Sequence, residues 1–190
     1  SIGAYAFGLC GFSSVSFTDN IVSIADGAFW RNSNLSGEIK LPTNLETIGK
    51  EAFSCCSNIE KLVLPKSLIY IGGGAFSGLF NIQSIVCEST EVPELGQAAF
   101  DGIPMDNFAL EVPETAVKDY QNARGWNEFK RLVAHREFSI SRRLFRTLNK
   151  AETRTYTLRA ESDASWTVES KPDWVTVSPM SGTGKVEVTV

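Results

Sequence analysis

The sequence predicts a mostly β protein in which about five stacked repeats form a solenoid with a short helical C-terminal cap, followed by an incomplete β-sandwich. Two observations support this fold class. The dipeptide Ala-Phe recurs at steps of 22 to 24 residues, and such a fixed period is typical of one unit copied and stacked. Short alternating strand patterns then fill the last third of the chain. The five copies are Ala6-Phe7, Ala28-Phe29, Ala52-Phe53, Ala75-Phe76 and Ala99-Phe100.

A short apolar strand is predicted after each Ala-Phe, with its first and third residues inward and its middle residue outward. These strands are Val15–Phe17, Ile39–Leu41, Leu62–Leu64, Ile85–Cys87 and Leu110–Val112. Proline follows three of them, as Pro42, Pro65 and Pro113, and is expected to end strand pairing there.

A second apolar pair precedes the Ala-Phe of the middle repeats. These pairs are Ile21/Ile24, Leu45/Ile48 and Leu68/Ile71. Gly49 and Gly72 follow two of the pairs, and we expect them to supply the backbone freedom of a turn. The phenylalanines are expected to stack as an internal ladder, with each alanine small enough to let neighbouring turns approach.

The pattern I-G-x-x-A-F, an apolar strand and then L-P-x-x-L-x-x-I-G resembles the BspA-like leucine-rich repeat of bacterial surface proteins. The fit is clearest from Ile48 to Cys87, and the resemblance covers residues 1 to about 112. It implies a leucine-rich-repeat solenoid on an exported protein, at the cell surface or outside the cell. It also implies adhesion to host proteins, other bacteria or mucosal glycans.

Residues 113–134 fit a cap over the end of the repeats. A proline break and an amphipathic segment predict a short helix, and Tyr120, Trp126 and Phe129 are expected to cover the open core. A stack of repeats needs such an end, since an uncovered repeat exposes apolar surface and a strand edge. The repeat domain is therefore predicted to span residues 1–134.

Residues 135–190 change to alternating strand segments, which predict a β-sandwich of immunoglobulin-like type. Strands are expected at Phe138–Ile140, Thr155–Leu158, Trp166–Val168, Trp174–Val177 and Val186–Val190. Polar residues, including Ser181–Gly184, are expected to form the turns. Domains of this type run on through further strands, so the sandwich is expected to be truncated at Val190.

The stretch S-W-T-V-E-S-K-P-D-W-V-T-V-S-P-M-S-G-T-G resembles the BACON domain, named as a Bacteroidetes-associated carbohydrate-binding domain. The resemblance implies carbohydrate binding, for which Trp166 and Trp174 are the candidate residues. Their alternation within apolar strands favours burial in the sandwich core instead. The domain is therefore either a carbohydrate-binding module of a glycan-utilisation protein or a structural spacer with no ligand of its own.

Charge and composition speak against nucleic acid as a partner. The net charge is −4, with −7 on residues 1–113 and +3 on residues 114–190. A nucleic-acid interface would need a strongly basic face, whereas acidic residues such as Asp119, Glu128 and Glu137 are interspersed among the basic ones. Any membrane attachment is expected through an anchor outside this sequence.

No catalytic, metal or cofactor site is predicted. The only histidine, His135, is far in sequence from Cys10, Cys55, Cys56 and Cys87, and neither a metal-ligand spacing nor a nucleophile with its base is present. The four cysteines are expected to be buried structural thiols. The protein is therefore predicted not to be an enzyme.

Binding is the predicted function, because the outward strand positions of stacked repeats form one continuous surface. The candidate ligand-binding residues are Lys40, Lys61, Val63, Ser84, Val86 and Glu111. Val63 and Val86 are apolar where solvent is expected, which indicates a patch for a protein partner; alternatively, both pack under neighbouring side chains or simply tolerate exposure. The expected partner is a host or bacterial surface protein, or a mucosal or dietary glycan.

Overall fold

The computed structural model describes residues 1–135, 155–159, 165–167, 181–183 and 185–189. The chain divides into two compact units, Ser1–His135 and Arg136–Val190. Among the described residues, no helix has the length and apolar character to cross a bilayer.

Two parallel sheets form the first unit, and successive repeats in its middle add one strand to each sheet. The four-stranded sheet contains β1 (Ser23–Ile24), β3 (Thr47–Ile48), β5 (Tyr70–Ile71) and β7 (Glu94–Leu95). The five-stranded sheet contains β2 (Gly37–Lys40), β4 (Ile59–Leu64), β6 (Ser84–Cys87), β8 (Leu110–Pro113) and β9 (Leu132–His135). Because repeat follows repeat in register, equivalent side chains align in rows across both sheets.

The five-stranded sheet differs from the prediction at both ends. Val15–Phe17 form no strand, although Val15 and Phe17 still pack against the core. At the other end, β9 pairs in parallel with β8, and this strand was not predicted. The inward alternation is confirmed for the strands that form: Ile39, Leu62 and Ile85 are at most 1% exposed.

The phenylalanine ladder is confirmed. The ring centroids of Phe29 and Phe53 lie 5.0 Å apart, those of Phe53 and Phe76 lie 5.6 Å apart, and those of Phe76 and Phe100 lie 5.5 Å apart, all stacked within 14° of parallel. Phe7 continues the stack beyond Phe29 at 5.4 Å. The four rings from Phe29 to Phe100 belong to the core and are at most 3% exposed, so they are closed to ligands, whereas Phe7 at the end of the stack is 38% exposed.

The backbone around each Ala-Phe, called the Ala-Phe turn below, forms a third ladder of hydrogen bonds between repeats. In the third repeat, the N–H groups of Glu51, Phe53 and Cys55 donate to carbonyls of the fourth repeat over 2.8 to 3.0 Å. The same three positions donate in the same way in the first, second and fourth repeats. Each Ala-Phe turn is therefore bonded to the next through alternate residues.

This ladder requires positive φ two residues before and two residues after each phenylalanine. Glycine occupies some of these positions, as Gly27 and Gly74 do, but Glu51 and Cys55 adopt φ values of 55° and 60°. Left-handed backbone costs a residue with a Cβ about 1 kcal/mol. The third repeat therefore carries strain that glycine would relieve.

We expect Glu51→Gly to stabilise the repeat unit by about 1 kcal/mol, because glycine adopts positive φ without a steric penalty. Urea unfolding followed by circular dichroism measures the change. The neighbouring exposed Lys50 has no positive φ, so Lys50→Gly should instead lower stability by about 0.5–1 kcal/mol. Equal effects of the two substitutions would contradict this account.

Gly49, Gly72 and Gly96 are needed for a different reason from the one predicted. None of the three has a positive φ. A Cβ on Gly72 would lie 2.5 Å from the carbonyl carbon of Gly49, and one on Gly96 would lie 2.3 Å from the nitrogen of Gly73. These glycines therefore allow close approach of backbones between repeats rather than freedom of a turn. The equivalent positions in the first two repeats are Gly3 and Ala25.

The predicted helical cap is confirmed. A 3-10 turn (Glu114–Ala116) leads into α1 (Val117–Asn122), and a second 3-10 turn covers Trp126–Glu128. Tyr120, Trp126 and Phe129 are each at most 2% exposed. The Trp126 ring lies 5.4 Å from Phe100, the last phenylalanine of the ladder, at an interplanar angle of 56°, so the cap packs aromatic side chains against the end of the stack.

The described part of the second unit contains two antiparallel strand pairs. β10 (Thr155–Arg159) pairs with β13 (Lys185–Thr189), and β11 (Ser165–Thr167) pairs with β12 (Ser181–Thr183). Strands were predicted close to three of these segments, but Ser181–Thr183 was predicted as part of a turn and is a strand. The predicted strands Phe138–Ile140 and Trp174–Val177 lie outside the described residues.

Candidate binding surface

The outer face of the five-stranded sheet brings together all six residues for which a ligand-binding role was predicted. Parallel register places one side chain from each strand in a first row of Lys40, Val63, Val86, Glu111 and Val133. A second row contains Glu38, Lys61 and Ser84. These are called the outer rows below.

Val63 and Val86, at the centre of the outer rows, are buried. Each is 7% exposed, yet neither belongs to the core cluster shared by the repeats. Their burial is therefore separate from that of the shared core. The prediction of an exposed apolar patch here is wrong, and the alternative that both pack under neighbouring side chains agrees with the structure.

The rest of the outer rows is polar and carries both signs of charge. Lys61 Nζ lies 3.2 Å from Glu38 Oε2 in the next strand, and both side chains are partly exposed. An ion pair in water contributes about 1 kcal/mol or less to stability. Lys40 is exposed and Glu111 is half-buried. The outer rows therefore carry two basic side chains, Lys40 and Lys61, and two acidic ones, Glu38 and Glu111.

Several exposed apolar side chains escaped the sequence analysis. Val133, on the unpredicted β9, is 46% exposed and extends the first outer row. Ile69 and Phe80, outside the outer rows, are 61% and 65% exposed. Ile69 directly precedes the short strand β5, and the equivalent residues before β1 and β3 are Val22 and Glu46. A position that holds apolar residues in two repeats and a charged residue in a third is expected to face outward, so this variation could have identified it from the sequence.

The predicted burial of the cysteines is correct for two of the four. Cys56 and Cys87 are buried, whereas Cys10 and Cys55 are exposed, and all four are free thiols. Cys10 belongs to the first Ala-Phe turn and Cys55 lies at a positive-φ position beside the buried Cys56. Spacing within the repeat therefore did not decide exposure.

A buried hydrogen-bonded chain links β6 to the cap. The Tyr120 hydroxyl donates to the carbonyl of Ser89 over 2.9 Å, so its oxygen is left to accept from the Cys87 thiol 3.1 Å away. Burial raises the pKa of Cys87 to about 11 and that of Cys56 to about 12. Burial also raises the pKa of Tyr120 above its ordinary value. These groups stay neutral at physiological pH.

We expect the stability of the repeat unit to fall as pH rises from about 9 to 11. A thiol with an ordinary pKa of 9.0 ionises in the unfolded chain over this range while the folded thiol keeps its proton. Unfolding then releases protons, and each buried thiol lowers the free energy of unfolding by about 1.4 kcal/mol per pH unit.

Urea midpoints at pH 8 and pH 10.5 measure this loss. Cys56→Ala should reduce the pH dependence, and the control Cys55→Ala, which deletes the exposed neighbouring thiol, should keep it. The account is wrong if the Cys56→Ala chain retains the full pH dependence.

The structure describes only some of the residues that were considered for carbohydrate binding, catalysis or metal binding. The backbone of Trp166 lies in β11, paired with Gly182, and Trp174 lies outside the described residues. His135 ends β9. In the described part of the chain, no group of three or more histidine, cysteine, aspartate or glutamate residues could hold a metal ion.

Short parallel strands contributed once per repeat, with aliphatic side chains on their inner face, define a leucine-rich-repeat protein. Residues 1–123 match the family described as BspA type leucine rich repeat region, in six copies. The chain belongs to this family. The sixth copy is one more than the five Ala-Phe dipeptides, and the match extends into α1. A search of curated proteins found no match.

Proposed function

We propose that this chain is a non-enzymatic binding module of an exported bacterial surface protein, with the outer rows as the surface that meets a protein or glycan partner. BspA-type repeats are typical of surface or extracellular proteins and indicate a protein-interaction module. The observation that carries the proposal is the alignment of five parallel strands, because their outward side chains form one continuous surface. We further infer that the repeats form a leucine-rich-repeat solenoid.

The internal chemistry of the repeats supports binding rather than catalysis. The ladder phenylalanines other than Phe7 lie in the core, and the buried thiols Cys56 and Cys87 have raised pKa values. A thiol must ionise to act as a nucleophile. These groups stabilise the scaffold, and adhesion through the outer rows needs no cofactor.

The test uses the chain of residues 1–190 immobilised on a sensor and exposed to purified host matrix proteins and mucins. Lys40→Glu reverses a charge in the first outer row and should weaken binding at least about tenfold, since any partner group that accepts from or pairs with the Lys40 ammonium would then face a carboxylate. Lys50→Glu makes the same change in an Ala-Phe turn, where Lys50 is exposed, and should leave binding unchanged. Equal loss in both variants would place the ligand elsewhere.

A carbohydrate-binding role for residues 135–190 is a second proposal, supported by the BACON-like sequence around Trp166 and Trp174 and by the antiparallel pairing of β11 with β12. Binding on a glycan array that is lost in Trp174→Ala, with circular dichroism unchanged, would support it. Absence of binding to any glycan would favour a spacer in an immunoglobulin-like sandwich.

A further inference from the structure

The last Ala-Phe turn, residues 96–102 (the terminal turn), uses only one of its two sides for hydrogen bonding between repeats. Its carbonyls at Gln97, Ala99 and Asp101 accept from the fourth repeat over 2.8 to 3.1 Å. Its N–H groups at Ala98, Phe100 and Gly102 donate to no acceptor within residues 1–135. In each of the four preceding repeats the equivalent three N–H groups are all bonded to the next turn.

The cap supplies an aromatic side chain at the end of the ladder but no backbone partner for the terminal turn. Trp126 places its ring against Phe100, where a sixth phenylalanine would stack. The cap brings no carbonyls to the three free N–H groups. Instead, a groove of about 1290 Å³ opens beside the terminal turn, lined by that turn and by cap residues including Arg124 and Trp126.

We propose that the terminal turn binds a glycine-rich peptide segment of repeat-like sequence, whose carbonyls at alternate residues accept from Ala98, Phe100 and Gly102. Addition of backbone to an unpaired edge is an established mode of peptide recognition. The chemistry of the occupant is set by the four preceding interfaces, in which the same donor row receives a segment with positive φ two residues before and two residues after its phenylalanine. Glycine adopts that conformation at the lowest cost.

Charge favours a neutral peptide over a free anion. Successive N–H groups in alternating left- and right-handed backbone can also form an anion-binding concavity. The groove, however, is lined by the carboxylates of Glu94, Asp101, Asp106 and Glu128 against the single guanidinium of Arg124. Anions are repelled by this excess of negative charge, whereas the carbonyls of an uncharged peptide carry no such penalty.

The probe is the synthetic peptide GGGAASGL, added to the ¹⁵N-labelled chain of residues 1–190. Its sequence is that of residues 72–79 with alanine in place of Phe76, because the Trp126 ring already packs against Phe100 where a further phenylalanine would lie. Amide signals of Ala98, Phe100 and Gly102 should shift, and their hydrogen exchange should slow at least about tenfold. The equivalent amides of Glu51 and Phe53, already bonded to the fourth repeat, serve as internal controls and should not change.

A side chain already present in the first repeat supplies a selectivity test. Tyr5 occupies the position equivalent to Ala98, and a Cβ on the opposing Gly27 would lie 2.2 Å from the Tyr5 ring. Ala98→Tyr should therefore still bind GGGAASGL, and replacing the third peptide residue by alanine (GGAAASGL) should cost this variant at least about tenfold more affinity than it costs the wild-type chain, because that residue faces position 98. The wild-type chain should lose only the cost of positive φ at a residue with a Cβ. Ala98→Tyr should fold, since Tyr5 adopts a φ of 54° beside Ala98 at 56°.

Three results would overturn the proposal. The first is protection of the three amides before peptide is added, which would mean that the groove is already filled. The second is no amide shift at millimolar peptide, or equal shifts with a scrambled peptide. The third is an equal shift with sodium acetate or phosphate, which would identify an anion site.

Discussion

Phe53→Ala should destabilise the repeat unit by about 3–5 kcal/mol, the largest effect expected of any single substitution considered for this chain. Phe53 is fully buried, and its ring stacks on Phe29 at 5.0 Å and on Phe76 at 5.6 Å. Removing the ring leaves a cavity in the middle of the ladder and removes both stacking contacts. The backbone on either side is held by inter-repeat hydrogen bonds and cannot collapse to fill the space.

Urea unfolding followed by circular dichroism measures this loss, and the transition should remain a single step, because the core is continuous from repeat to repeat. Phe80→Ala is the matched control, because it makes the same substitution in the next repeat at a side chain that is 65% exposed. It should change the free energy of unfolding by less than about 0.5 kcal/mol. A Phe53→Ala chain as stable as the Phe80→Ala chain would contradict a ladder that holds the repeats together.

Gly72→Ala should destabilise the repeat unit by about 1–3 kcal/mol, although it adds a single methyl group. That methyl would lie 2.5 Å from the Gly49 carbonyl carbon and 2.5 Å from the Lys50 nitrogen. Both are backbone atoms, so relief requires two repeats to move apart and their hydrogen bonds to lengthen. The bond from the Gly72 N–H to the Ile48 carbonyl, 2.7 Å long, is directly affected.

Gly3→Ala makes the same change at the equivalent position of the first repeat, where no atom lies within 4 Å of the added Cβ. It should be neutral or stabilise by up to about 1 kcal/mol through lower entropy of the unfolded chain. Thermal melting of the two variants side by side measures the contrast. If Gly72→Ala melts at or above the wild-type temperature, close backbone contact does not explain the glycine at this position.

The architecture of the repeats follows from patterns that are local in the sequence. The Ala-Phe period predicts the stack, and two-residue alternation places Ile39, Leu62 and Ile85 inward, because both depend only on a residue's position within its own repeat. The cap was predictable for a related reason: Tyr120 and Trp126 are large apolar side chains directly after the period ends. The four-stranded sheet was missed because two-residue strands such as β3 are too short to show an alternation.

For the candidate binding surface, the sequence predicted which residues share the outer face but not which of them are buried. Register brings Lys40, Lys61 and Glu111 onto one face as expected, whereas Val63 and Val86 on the same face are buried. The burial of an outward position depends on what packs over it in the folded chain, and no pattern within one strand reports it. Val133 was missed because β9 follows the cap, outside the period.

By itself, the sequence of this protein determined the stacking of repeats, the aromatic ladder and the position of the cap. Each of these is a property that one repeat specifies and the next repeat copies. The tertiary structure alone decided which thiols are buried, why Gly72 must be glycine and which backbone groups at Ala98, Phe100 and Gly102 have no partner. The physical reason is that these properties arise between repeats, from backbone distances and hydrogen-bond pairing that exist only after the chain has folded back beside itself.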